Sequence, residues 1–475
     1  MSANSSPGRS AAVSIVATPE NRAALMRVIW ALAWPVMITF ALESIVGLVD
    51  TLMVGRLGPS AVAGVGVGTQ ILNGVSVVMT AVITGTVALV ARHIGAGERA
   101  EARDVLLQSL YAVGAFSCLV AAPVFWWATE LVRLFGVEPA VLEQGSAFVR
   151  MIMFGVPGMS LFYVMASGLR GAGDMRTPLV IGAMVNVLNV LLNYVLIFGH
   201  FGLPAFGVRG SAMASSIALI TGALCGLAVL LRGRAVLTLR DTRYGFRYPI
   251  VRRVLAIGVP TAAEQLLMQV GFMLYLAIAA RYGTPAVAAY FIGVRIMALS
   301  FLPGFGFGAA ASTLVGQNLG ARRLEGAERS GWEANRLAIA FHSGAGAIIF
   351  GFAPSIARLF IDDPEVVRDA VAFIRTLAVA QPLMAADSAL GGALRGAGDT
   401  RFPLITVAIG FYGARLGFAY AAARLALGVN WVWFALVGDY LARAALKAWR
   451  FRSGHWKPAL TVTSETANLP EQSMA

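Results

Sequence analysis

Leu169-Arg170-Gly171-Ala172-Gly173-Asp174, with Arg176 and Pro178 behind it, returns as Leu394-Arg395-Gly396-Ala397-Gly398-Asp399, with Arg401 and Pro403 behind it. The two copies stand 225 residues apart. The same offset pairs Pro35 with Pro260, Gly58 with Gly283, Gly95-Ala96 with Gly320-Ala321, Pro139 with Pro364 and Pro157 with Pro382. Further along it shortens to 221, where Gly207-Val208 meets Gly428-Val429. The chain therefore holds one module twice. In a strongly apolar chain, such a duplication is the mark of a secondary transporter with its site between or inside the halves.

Composition places the chain in a membrane. Of 475 residues, 58% are hydrophobic and 13% charged, and the mean hydropathy is +0.74. A soluble chain normally carries about 25% charged residues. The apolar residues come in runs of about 20, the length that spans a bilayer as helix. Short alternating segments, which a membrane barrel needs, are missing. The expected fold is an all-α membrane protein of twelve spans, the first at 29–53 and the last at 430–449. Six spans per half give two lobes of the same orientation, related by a pseudo-two-fold axis along the membrane normal.

Five segments follow: a disordered tail at 1–25, an N-terminal lobe at 26–231, a basic linker at 232–253, a C-terminal lobe at 254–450 and a tail at 451–475. The net charge of +13 invites a nucleic-acid reading. The basic residues, however, lie between apolar runs, which is the pattern of membrane topology. The linker holds Arg232, Arg234, Arg240, Arg243, Arg247, Arg252 and Arg253, and the tail after the last span holds Lys447, Arg450, Arg452 and Lys457. The loops on the other side are poor in charge, with Arg56 alone after span one and Arg281 alone after span seven. Both termini are predicted to be cytoplasmic, with the linker on the membrane surface. Cys118 and Cys225 lie in apolar runs and read as small core residues, and the four histidines lack ligand spacing.

No catalytic motif is present: the chain lacks a nucleophile elbow, a Walker A loop and an H-E-x-x-H helix. It is predicted to be no enzyme and to need no cofactor, and without a nucleotide site its energy must come from an ion gradient. Attention then falls on charged residues inside the spans, which cost roughly 2.5–3.5 kcal/mol on insertion scales and persist with a partner or a task. Glu43 and Asp50 lie seven residues apart in span one and share a face. Asn186, Asn189 and Asn193 form one polar stripe in span five, and Ser211, Ser215 and Ser216 open span six. Asp50, Asn189, Asn193 and Ser215 offer oxygen ligands for a small cation such as Na⁺. Equally, they could form a hydrogen-bonded nest around a protonated Asp50. The coupling ion is thus H⁺ or Na⁺.

The second half carries a different set. Asp50 maps to Tyr275, Asn189 to Ala414 and Asn193 to Phe418. In their place stand Glu264 and Gln269 in span seven, Arg295 in span eight at the position of Gln70, Asp387 in span ten and Arg415 in span eleven. A buried Arg295 pairing with Glu264 or Asp387 is one expectation, and a second coupling site is the other. Glu43, Tyr163, Gln269, Tyr275 and Tyr290 are candidate linings of a substrate cavity, the aromatics through cation–π contacts. The repeated Leu-Arg-Gly-Ala-Gly-Asp segments read as rigid turns at helix C-termini rather than phosphate cradles.

Gly47-Leu48-Val49-Asp50-Thr51-Leu52-Met53-Val54-Gly55 resembles the first span of the multidrug and toxic compound extrusion (MATE) transporters. Leu192-Asn193-Tyr194, Gly316-Gln317-Asn318-Leu319-Gly320-Ala321 and the paired Leu-Arg-Gly segments support the likeness, which runs from about residue 25 to 455. The resemblance implies two six-helix lobes around a V-shaped cavity, alternating access, and export of cationic, often aromatic drugs against inward H⁺ or Na⁺. It assigns Asp50 as the ion-coupling carboxylate, with Asn189, Asn193 and the Ser215 hydroxyl as its partners. Some members carry Asp where this chain has Asn193, a departure that disfavours Na⁺. In one branch, a Glu of span seven and an Asp of span ten form a second cation site. Those positions hold Met268 and Met384 here, with Glu264 and Asp387 about one turn away. Proton coupling is favoured. The partners implied are small organic cations and the bilayer, with the protein a monomer. The alternative is a lipid-linked oligosaccharide flippase of related architecture; a non-transporting scaffold has no use for buried carboxylates.

Overall fold

The computed structural model describes residues 21–233, 236–240 and 245–457. Residues 1–20 and 458–475 of the proposed tails, and Arg234 and Arg243 of the linker, lie outside the described residues; at the C-terminal end Phe451 and Trp456, within the expected tail, are buried. The N-terminal half contains α1 (Arg22–Gly55), α2 (Pro59–Gly95), α3 (Arg99–Trp126), the short α4 (Ala128–Arg133), α5 (Pro139–Gly171), α6 (Arg176–Phe198) and α7 (Val208–Arg232). The C-terminal half contains α8 (Tyr248–Ala279), α9 (Thr284–Gly320), α10 (Leu324–Arg358) and α11 (Pro364–Ala397). The eleventh span follows as α12 (Arg401–Val407), a π-helical stretch (Ala408–Leu416) and α13 (Gly417–Arg424), and α14 (Val429–Arg452) completes the chain. Helix begins earlier than the sequence suggested. The Asn21 side chain accepts from the amide of Ala23 and caps α1, so residues 22–25 are helical rather than tail. Likewise α8 starts at Tyr248, inside the predicted linker.

Eleven of the twelve spans are long and apolar enough to cross a membrane on composition alone. The exception is α14, which carries Asp439, Arg443 and Lys447. These residues are four apart and buried, so the charge faces the lobe interior. The linker is tied to the first lobe rather than loose: Leu237 and Leu239 enter its core. Gln108 of α3 donates to the carbonyl of Gly245 and accepts from the amide of Arg247, whose guanidinium pairs with Asp104 at 2.7 Å.

The repeated hexapeptides form the same turn. Gly173 and Gly398 sit at φ +90° and +86°, where a side chain would be strained. The amides of Asp174 and Asp399 reach back to the carbonyls of Leu169 and Leu394 at 2.9 Å. Their carboxylates have diverged. Asp174 accepts from Thr177 and caps α6, whereas Asp399 pairs with Arg450 of α14 at 2.8 Å.

The lobes are joined by exchanging the starts of their first helices. Leu25, Ile29, Leu32, Ala33 and Val36 of α1 pack into a core made by α9, α10 and α11 of the other half. Val54, near the far end of α1, lies in the core of its own half. The second copy does the same: Val254 of α8 enters the first half's core, and Tyr275 and Ile278 lie in that of the second. Pro35 and Pro260, the repeated prolines, stand where each helix passes from one lobe to the other. At the crossing, backbones touch. A Cβ on Gly258 would run into the carbonyl of Ala81, and one on Gly306 into that of Ala33, the equivalent contact under the repeat. Gly95 lies against Gln317 and Gly320 against Arg92, again equivalent positions, so the pseudo-two-fold axis passes between α2 and α9 here. Two side-chain bonds cross the same seam, from Gln317 to the carbonyl of Gly171 and from Thr313 to that of Arg170, both 3.0 Å.

Every one of these contacts lies at the end of the molecule that carries the basic loops. Overpacking a seam of this kind costs about 1–3 kcal/mol. Gly258→Val, which drives a branched side chain onto Ala81, is expected to lower the thermal midpoint of the purified protein by several degrees. Gly344→Val, where an added Cβ meets nothing within 4 Å, leaves the midpoint within error of the parent; equal losses in the two variants contradict the seam.

Candidate functional site

In the first lobe, the polar residues singled out by spacing come together. Asp50 stands on α1 five residues before its end, half-buried and facing α6. It is not a helix cap at the rim, because α1 continues to Gly55. Asn193 of α6 donates its amide to Asp50 Oδ1 at 2.5 Å. Asn189, one turn earlier, lies 3.1 Å from the same oxygen and 3.0 Å from Ser215 Oγ of α7. With its nitrogen towards Asp50 and its oxygen towards Ser215, both ends of that amide are satisfied. Asn193 is fully buried, and its Oδ1 has no hydrogen-bond partner among the described residues. The cluster thus presents one carboxylate, two amides, one hydroxyl and an open acceptor. It can hold a proton on Asp50 or a small monovalent cation. Among the described residues no group of three His, Cys, Asp or Glu gathers to hold a metal, so a cation here would meet only one negative charge.

Glu43 lies two turns inward on the same face of α1. Tyr163 of α5 donates to its Oε1 at 3.4 Å, and Arg170 stands within electrostatic range of it. The Arg170 guanidinium lies 5.9 Å from the ring of Phe40, which in turn packs on Phe305 of the other lobe at 5.0 Å.

The second lobe holds a compensated network. Asp387 of α11 takes Arg443 and Lys447 of α14, both at 2.6 Å. Arg415, at the end of the π-helical stretch, pairs with Asp439 at 2.7 Å, and both are at most 1% exposed. Four aromatic rings close over the Arg415 guanidinium, Phe411 at 4.4 Å being the nearest. Glu264 faces Arg395 at 3.4 Å. Each lobe therefore places a carboxylate of its first helix opposite the arginine of the repeated turn, Glu43 by Arg170 and Glu264 by Arg395.

Several sequence expectations need correction. Arg295 pairs with neither Glu264 nor Asp387; it is exposed on α9, and among the described residues the partners are Arg395, Arg443 and Lys447. Tyr275 and Tyr290 line no cavity, since both are buried in the second lobe's core and donate to the carbonyls of Val432 and Phe272. Lys447, counted with the tail, is 1% exposed inside α14. Gln269 is exposed on α8, and Tyr163 is half-buried against Glu43. Asp439, Arg443 and Lys447 were missed, although their spacing of four in an otherwise apolar span signals an inward stripe.

Comparison with known proteins follows the same division. The MatE family model matches residues 35–195 and again 260–421. A probable multidrug resistance protein NorM of Thermotoga maritima is 32% identical over 452 residues, covering 94% of this chain and 96% of its own. The multidrug resistance protein PmpM of Pseudomonas aeruginosa is 26% identical, covering 82% of each chain. Among solved structures, an outward-facing conformation of a multidrug resistance MATE family transporter of the MOP superfamily superposes with a TM-score of 0.84 at 25% identity, over 93% of this chain and all of that one.

The ion network makes a direct stability prediction. Removing one member of a buried pair leaves an uncompensated charge and costs about 3–5 kcal/mol, whereas replacing both with apolar groups is near neutral. Asp439→Ala is expected to destabilise strongly in thermal unfolding, and Arg415→Met with Asp439→Leu to recover most of the loss. A double variant as unstable as the single one contradicts the pairing.

Proposed function

This chain belongs to the MatE family of multi-pass membrane transporters, and from that premise we propose that it is a secondary antiporter exporting cationic amphipathic compounds in exchange for H⁺. It works as a monomer by alternating access, with both termini in the cytoplasm. The multidrug resistance names of its relatives support drug efflux. The observation that carries the reading is the Asp50 cluster: a single half-buried carboxylate, bonded to Asn193 and beside Asn189 and Ser215. A carboxylate held by neutral amides at membrane depth can be loaded with a proton and emptied again as its surroundings change.

Two features favour H⁺ over Na⁺. Asn193 supplies no second negative charge next to Asp50, and hard cations are held best by several carboxylate oxygens. In the second lobe, Met268 and Met384 offer no oxygen ligand, and the carboxylates nearby are already engaged by Arg395, Arg443 and Lys447. The energetics fit exchange. Expelling a monovalent cation from an inside-negative cell costs roughly 2.3 kcal/mol per 100 mV. One entering proton offsets that, and its concentration gradient drives the export. The flippase reading, which calls for a cationic cavity, draws little support: beyond the first turns of α1 and α8, which carry the exposed Arg22, Arg27, Arg252 and Arg253, the exposed polar residues of the facing helices α1, α2, α8 and α9 include Ser44, Gln70, Gln265 and Gln269 beside Arg295.

The test is efflux from proteoliposomes with pH and Na⁺ gradients imposed separately. A pH gradient alone is expected to drive exchange of ethidium, a planar aromatic cation, and a Na⁺ gradient alone is not. Asp50→Asn, expressed and folded at parental level, loses the pH-driven component at least tenfold. Parental rates in that variant, or exchange driven by Na⁺ only, overturn the proposal.

A further inference from the structure

The helices that touch at the seam run antiparallel in pairs, α1 against α9 and α2 against α8. Equal steps away from a contact therefore stay level across the gap. Eleven residues make about three turns, so a step of eleven returns to the same face roughly 16 Å further along the helix. From the contact of Ala33 with Gly306, that step leads to Ser44 on α1 and Arg295 on α9. From the contact of Gly258 with Ala81, it leads to Gln269 on α8 and Gln70 on α2. All four residues are polar and exposed. In a chain that is 58% hydrophobic, four polar side chains at four such positions mark faces turned to water rather than to lipid. They are also equivalent under the duplication: Ser44 corresponds to Gln269, and Gln70 to Arg295.

We propose that these two pairs are the contacts of a second seam, formed when the lobes rock shut on the far side of the crossing, where all four residues are now exposed, with Arg295 closing on Ser44 and on the neighbouring Glu43. The inference rests on the alternating-access reading above and names the residues that meet. Glu43 is half-buried one residue before Ser44, with the long hydrogen bond from Tyr163 and Arg170 within electrostatic range but no ion pair at contact distance among the described residues, and it is the acidic group on α1 nearest the level of Arg295. Arg295 likewise makes no ion pair among the described residues. Its guanidinium therefore gains a charge-assisted partner on closure that it lacks in this arrangement. Gln70 and Gln269 make the neutral counterpart on the other side of the pseudo-two-fold axis, where two amides can exchange hydrogen bonds. Such a gate gives the closed form a contact free energy of its own, as any switch between two states requires.

Cysteine pairs test the register directly. In a background with Cys118→Ala and Cys225→Ala, Gln70→Cys with Gln269→Cys leaves Arg295 intact. Oxidation of that variant in transporting vesicles is expected to cross-link the pair and to stop ethidium exchange until reductant is added. Ser44→Cys with Arg295→Cys is expected to do the same. Independently, Glu43→Arg and Arg295→Glu each lower exchange, and the double charge swap restores it at least fivefold over the weaker single variant. Absence of cross-linking in both cysteine pairs, in vesicles that still exchange ethidium for protons, overturns the gate and leaves the transport reading standing. A charge swap no better than either single variant removes the Glu43–Arg295 contact. Cross-linking that persists when Asp50→Asn proves fully coupled upholds the gate and removes the coupling assignment instead.

Discussion

Backbone-to-backbone contact at the crossing of the first helices is the constraint on which the rest of the structure depends. Gly95, Gly258, Gly306 and Gly320 have no side chain to hold the lobes apart, and main-chain carbonyls fill the space that a Cβ needs. Within lipid, apolar surface gains little by leaving one apolar medium for another, so association relies on close approach and on hydrogen bonds. The seam supplies both, through its glycines and through the bonds from Gln317 and Thr313 to the α5 terminus. Because α1 and α8 begin in the opposite lobe and finish in their own, the lobes cannot separate at this end without pulling their first helices out of a core. In the proposed alternating-access cycle, motion is confined to a rocking about the crossing, near Pro35 and Pro260.

The duplication has left the halves with different electrostatic tasks. In the second lobe, two carboxylates and three cations at most 7% exposed are knitted into pairs, with a further pair beside them. Partners of this kind fix charge states, and disturbing one leaves another stranded in low dielectric. The π-helical stretch in the eleventh span delivers Arg415 into this network. The first lobe keeps Asp50 among neutral groups, with Tyr275 at the equivalent position in the second. A carboxylate without a fixed counter-charge is the one whose occupancy can follow the ion gradient. In the proposed exchange, one lobe stays as it is and the other responds.

Much of this was legible in the residues themselves. The repeat gave two equivalent lobes, and its conserved spacing of glycine and proline marked the turns and the crossing. The Asp50 site could be read because Asn189 and Asn193 are one turn apart and Ser215 opens the next span. What could not be read was which way the helices turn. A membrane helix is apolar on its lipid side and on its core side alike, so periodicity does not reveal the buried face as it does in a soluble helix. Arg295 therefore looked like a partner for Glu264 or Asp387 although it faces away from both, and Tyr275 and Tyr290 looked like cavity aromatics although they fill a core. By its place in the repeated turn Arg395 reads as a charge at a helix C-terminus, because its pairing depends on Glu264, a residue 131 positions earlier.

The central claim is that the proton on Asp50 decides which way the lobes lean. Its most direct test is the distance between spin labels at Val62 on α2 and Met273 on α8, exposed positions on either lobe far from the seam. With Asp50 in place, the distance distribution should shift between acidic and alkaline buffer, and in Asp50→Asn it should stay at a single setting. A shift that survives in Asp50→Asn, or a parent whose distances ignore pH, would contradict it.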